Sequence, residues 1–193
     1  EDLLKKVRSP RILHIATHGF FASTVDTAKI IKDLQMGDER SYRNIMNPYL
    51  RCGLYLAGAE TTLNNRANAD FQRPEGQEDG ILTAYEATLR DLRGTELVVL
   101  SACETGLGDI ANGDGVYGLR RAFAIAGAET QLMSLWQVDD FGTQSLMVRY
   151  YENLTAGMGR SEALRAVQLE MINAPGRYAH PFYWAAFITT GDW

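Results

Sequence analysis

Two short, nearly continuous apolar runs, ILHIAT (residues 12–17) and LVVLSA (residues 97–102), constrain the fold of this chain more than any other feature. A strand with one wet face alternates apolar and polar residues, whereas a run that is apolar throughout needs protein on both faces. TQLMSLW (130–136) and FYWAAFIT (182–189) repeat the pattern, and CGLYLAG (52–58) is a weaker instance. Helical spacing fills the intervals. Leu82, Tyr85, Leu89 and Leu92 predict a helix over 81–92 that Gly94 ends, and Val116, Leu119, Phe123 and Ala126 predict a second before Gly127. Leu146, Tyr150 and Leu154 form the stripe of a third, and Leu164, Val167 and Met171 that of a fourth. Alternating strands and helices imply a mostly parallel α/β sheet covered on both faces. The polar stretch 64–79, with Pro74 and Gly76, reads as a long surface loop.

At 193 residues the chain is long enough for one domain with a full core. Its net charge of −5 and pI of about 5.2 offer no basic face to nucleic acid or to an acidic membrane. The basic residues cluster only at Lys5, Lys6, Arg8 and Arg11. No apolar run approaches the ~18–20 residues of a membrane span, and the sequence given contains no stretch with the pattern of a signal peptide. Two cysteines, Cys52 and Cys103, make no disulfide framework, so a reducing compartment, the cytoplasm, is expected. The chain opens on EDLLKK without Met, as a processed or excised piece of a longer protein would.

In open α/β sheets, ligands bind beyond the carboxyl ends of the strands. His18 and Cys103 each follow an apolar strand there. A thiol needs a base or an imidazolium beside it to become a thiolate at neutral pH, and two neighbouring strands ending in His and Cys supply that pair. The Gly19 and Cys103 N–H groups are then the natural donors to a developing oxyanion. Pattern by itself leaves the other option open, because a strand-end cysteine is commonly a buried small hydrophobe. Cys52 has no histidine at an equivalent strand end. His14, four residues before His18, reads as a core histidine, and His180, before Pro181, as a structural loop residue and fallback base. A phosphatase loop would need Arg where Asp109 stands. GDGVYG (113–118) matches a dinucleotide pattern but lies too far from the preceding strand, so its glycines read as loop residues. The acids of DIANGDG (109–115) are misplaced for a calcium loop. Neither a metal nor a cofactor is implied.

The segments ILHIATHGFF, GILTAYEATLRDLRGTELVVLSACETGLG, GDGVYGLRRAFAIAGAETQLMSLWQVDD and HPFYWAAFITTGDW, in this order and over nearly the whole chain, resemble the CHAT domains, a branch of the caspase-like (clan CD) cysteine peptidases. The resemblance implies a caspase-like α/β/α sandwich spanning residues 1–193. It further implies that His18 of HIATHG and Cys103 of SACETG form a catalytic dyad, with Gly19 and Cys103 as backbone oxyanion donors. SLWQVDD resembles the separase stretch whose aspartate binds a basic side chain before the scissile bond, which gives that role to Asp140, with Asp139 second. Either aspartate equally suits the cap of the following helix. In the family the peptidase often follows tetratricopeptide-like repeats, so a regulatory protein or repeat domain, upstream or in trans, is the expected partner beside a protein substrate. Only about ten residues precede the histidine strand, so the N-terminal part of the family domain is expected to lie outside this chain. Two alternatives remain: a catalytically silent CHAT-like scaffold, and a nucleotide-binding α/β domain using Gly113 to Gly118.

Overall fold

Leu97, Val98, Val99 and Leu100 are each at most 1% exposed, as a run apolar on both faces requires. The computed structural model describes residues 1–21, 47–65, 68, 71–72, 74–101, 114–136 and 138–192. After a short helix α1 (Asp2–Lys6) come β1 (Ile12–Ile15), β2 (His18–Phe21), β3 (Cys52–Tyr55), α2 (Ala59–Asn64), β4 (Ile81–Thr83), α3 (Ala84–Thr88) and β5 (Leu97–Leu100). Then follow α4 (Asp114–Ala126), β6 (Thr130–Ser134), α5 (Asp140–Thr155), α6 (Arg160–Asn173) and β7 (Phe187–Gly191).

The main sheet has the order β1-β5-β6-β7. β1, β5 and β6 are parallel and β7 is antiparallel to β6, so the sheet is mostly parallel, as the apolar runs imply. Alternate side chains of β5 serve two cores. Val98 and Leu100 join Met133, Leu119 and Phe123 on the face covered by α4, while Leu97 and Val99 join Leu132, Leu146, Leu164 and Val167 under α5 and α6. The result is the α/β/α layering expected. A second, antiparallel sheet, β2-β3-β4, packs into the α4 core through Leu54 and Leu82.

Four local expectations are corrected. The helix expected over 81–92 is only Ala84–Thr88, because Thr83 starts it with a capping box and the residues before it pair with β3. The Thr83 hydroxyl accepts from the Glu86 N–H at 3.2 Å, and the Glu86 carboxylate accepts from the Thr83 N–H at 3.0 Å. The helix ends at Leu89, so Gly94 forms a later turn. In 182–189 the strand begins only at Phe187; Pro181 and the His180 ring, which accepts from the Phe182 N–H at 3.2 Å, nucleate a 3-10 turn instead. β1 buries only Ile15, since it has one partner strand among the described residues. Finally, Gly115 and Gly118 lie inside α4 rather than in a loop. A Cβ at Gly118 would stand 2.5 Å from Cys52 Sγ, so this glycine lets the helix approach β3.

Candidate functional site

β1 and β5 pair in parallel at constant register, Ile12 with Leu97 through Ile15 with Leu100. Just past their carboxyl ends lies a cleft of about 560 Å³. Its floor and one wall come from His14, Ala16, Thr17, His18 and Ser101; the other wall is α5, through Asp140, Gln144, Met147 and Tyr151. The cleft therefore sits where an open α/β sheet presents its loops.

His18 is exposed and lines this cleft, yet it does not lie in a loop after the strand. His18 and Gly19 instead open β2, opposite Tyr55 and Leu54 of β3. The chain leaves the main sheet at the bend Ala16-Thr17, and the Thr17 hydroxyl donates to the Tyr55 carbonyl, pinning that bend to the second sheet. Gly19 is buried within the β2–β3 ladder. Cys103 lies outside the described residues; Ser101, two positions before it, is the last described residue of that segment.

The two aspartates separate. Asp139 is the N-cap of α5, its carboxylate accepting the Gly142 N–H at 2.8 Å. Asp140, the first residue of the helix, is exposed and faces the cleft. Asp139 caps because its backbone is still extended, at φ −74° and ψ 131°, which lets its side chain fold back onto the first turn, whereas Asp140 is already helical.

His14 is not the core histidine expected. Its Nε2 lies 3.2 Å from Ser101 Oγ and its Nδ1 lies 3.0 Å from the Tyr151 hydroxyl. A neutral imidazole has one N–H and one lone pair, so it donates to one hydroxyl and accepts from the other. The rings of His14 and Tyr151 lie 5.7 Å apart at 33°. Burial lowers the His14 pKa below its ordinary 6.5 and raises that of Tyr151 above its ordinary 10.0. His14 is thus held neutral, and the unfolded chain binds its proton more readily than the folded one does. Stability is expected to be complete above about pH 7 and to fall as pH drops through 6.5 toward the lowered value. Melting curves between pH 5 and 8 check this; a His14→Gln chain should lose part of that slope, and an identical slope in both would rule His14 out as its source.

Sequence reasoning missed His14, Ser101 and Tyr151 as a group. One signal was present, the four-residue spacing of His14 and His18; Tyr151 carried none, being adjacent to the core residue Tyr150. His180 is absent from the cleft lining and caps its 3-10 turn. Cys52 is 1% exposed and its thiol donates to the Pro48 carbonyl at 3.4 Å. Among the described residues no cluster of His, Cys, Asp or Glu suits a metal ion, and no helix is long and apolar enough to cross a membrane.

Comparison with known proteins agrees with this architecture. A stretch of 113 residues, 58% of the chain, is 34% identical to tetratricopeptide repeat protein 28 of Mus musculus and 33% identical to that of Homo sapiens. The matched stretch is 4% of each relative's length, so the chain corresponds to a small part of those proteins. The family model described as "CHAT domain" matches residues 1–192. With its mostly parallel sheet layered between helices, the chain belongs to the CHAT domain family, a caspase-like (clan CD) group.

Proposed function

We propose that this chain is a cysteine endopeptidase that cleaves protein substrates with His18 and Cys103. The observation that carries the proposal is the β1–β5 register. His18 is the third residue after Ile15 and Cys103 the third after Leu100, and Ile15 pairs with Leu100. Ser101, two residues before Cys103, already lines the same cleft as His18. In the reaction, His18 takes the thiol proton and the thiolate attacks the scissile carbonyl. The backbone N–H groups of Gly19 and Cys103 are the proposed donors to the tetrahedral oxyanion. His18 then protonates the departing amine, and water hydrolyses the acyl-enzyme, regenerating the thiol.

Asp140, exposed in the first turn of α5 and open to the cleft, is proposed to bind an arginine or lysine side chain before the scissile bond. A carboxylate there favours arginine through paired hydrogen bonds. Asp139, occupied as the helix cap, has the weaker claim. The similarity to tetratricopeptide repeat proteins supports a repeat-bearing segment or partner as regulator. The cytoplasm, where thiols stay reduced, suits a thiolate enzyme.

The test is the rate of Cys103 alkylation against pH, followed by peptide mapping, with buried Cys52 as the internal control. Rapid labelling of Cys103 below about pH 7, abolished in His18→Ala, is the expected result, since an ordinary thiol ionises near 8.5. Labelling indifferent to His18 would instead favour a catalytically silent scaffold.

A further inference from the structure

The face of the main sheet under α5 and α6 is apolar wherever β5 and β6 supply it, through Leu97, Val99 and Leu132. On β1, Leu13 and Ile15 pack on the opposite face, so His14 projects toward α5, as its bond to Tyr151 shows. His14 keeps solvent contact, and the part of its ring turned to this face loses hydration, a loss that bonds from its nitrogens offset. Both nitrogens are bonded, and each partner belongs to a different element: Ser101 just past β5, and Tyr151 of α5. His14 is thus one side chain that bonds both walls of the cleft at the level where β1 ends. His18 is held otherwise, by the Thr17–Tyr55 bond and the β2–β3 ladder.

We propose that His14 is a positioning residue, which with Ser101 and Tyr151 fixes the chain leaving β5 so that the Cys103 thiol meets His18. The proposal rests on the His18–Cys103 reading. Ser101 stands two residues before the nucleophile, so a shift of the Ser101 segment is carried directly into the approach of the thiol. Misplacement by about 1 Å costs such a pair up to about a hundredfold in rate. The role is distinct from catalysis, because His14 acts on the substrate only through the segment it holds. The other titratable groups lining this cleft are His18, Asp140 and Tyr151, so any acid shift in thiol reactivity must be assigned with the His18→Ala chain alongside.

The experiment is iodoacetamide labelling of Cys103 from pH 5.5 to 9 in the full chain and in His14→Phe, Ser101→Ala, Ser101→Thr and Tyr151→Phe. His14→Phe and Ser101→Ala are expected to slow labelling at pH 6.5 by at least about tenfold and to move the profile toward an ordinary thiol. Ser101→Thr, which keeps the hydroxyl, restores the parent profile, a rescue that loss of stability alone would not reverse. Should His14→Phe fail to fold by circular dichroism, Ser101→Ala and Tyr151→Phe decide, since each removes a single oxygen. Parent-like profiles in all variants, with His18→Ala still abolishing the acid reactivity, overturn the role of His14 and leave the dyad standing. A parent chain indifferent to His18 overturns both, and the parent and His18→Ala curves alone reveal it.

Discussion

A His18→Ala chain is expected to cleave arginine-containing peptides about 10²- to 10⁴-fold more slowly than the parent, the range general acid–base catalysis contributes. In the proposed reaction both chemical steps need the imidazole: it would take the thiol proton before attack and return a proton to the amine, which cannot leave as an anion. The substitution should cost little stability. His18 is exposed, and among the described residues no hydrogen bond to its ring would be lost. Its backbone pairing opposite Tyr55 is kept by alanine. A stability within about 0.5 kcal/mol of the parent is therefore expected, as at surface positions without a special role. Initial rates on a fluorogenic peptide with arginine before the scissile bond, measured beside a thermal melt, check both halves. A rate matching the parent would remove His18 from the chemistry. A rate lost together with the fold would place its role in β2 instead.

Gly53→Ala is expected to be among the most damaging single substitutions in the second sheet. Gly53 lies in β3, the central strand, between Phe20 of β2 and Thr83 of β4. A Cβ there would stand 2.4 Å from the Leu82 carbonyl oxygen and 2.7 Å from the Phe20 ring. The ring has little room to retreat, because it stacks on Tyr55 with centroids 4.8 Å apart. The carbonyl belongs to paired backbone. Overpacking of well-filled sites costs about 1–3 kcal/mol, and a backbone neighbour puts this one at the upper end or beyond. For a chain of this size that is a fall in melting temperature on the order of 6–12 °C. Because β2 begins at His18, the His18-dependent labelling of Cys103 should fall as well. Gly76→Ala is the comparison for backbone strain without crowding. Its φ of +79° carries the same left-handed penalty that alanine meets in a turn, but nothing lies within 4 Å of the added carbon. A Gly53→Ala melting temperature equal to the parent's would mean that β2 and β3 separate freely to admit a methyl group.

The elements most legible in the sequence are those whose environment is the same along their length. LVVL and TQLMS are buried residue by residue on both faces, so their apolar runs announce them as core strands. The stripes Leu146–Tyr150 and Leu164–Val167–Met171 mark α5 and α6 for the same reason, since each helix buries one face against one core. Residues 81–92 misled because the apolar spacing there is shared between two structures. Leu82 is buried as part of a strand, Ala84 and Ala87 as part of a helix, and the boundary is drawn by the Thr83–Glu86 capping box. In 182–189, aromatic residues that suit a strand are diverted by Pro181 into a turn.

The candidate site divides along the same line. From the sequence alone came the proposal that His18 pairs with Cys103, because strand ends of a parallel sheet are where such groups gather, and the family likeness that proposes Asp140. The tertiary structure decided the rest. It assigned Asp139 to the cap and turned Asp140 to the cleft, a difference set by where the backbone passes from extended to helical. It made His18 the start of a second sheet rather than the end of the first. It also joined His14 to Ser101 and Tyr151, residues 87 and 137 positions away along the chain. Periodicity reports which face of an element is buried, a local property of a few neighbouring residues. Which polar group meets which across a cleft depends on strand order, register and helix placement, and those are settled only when distant segments pack together.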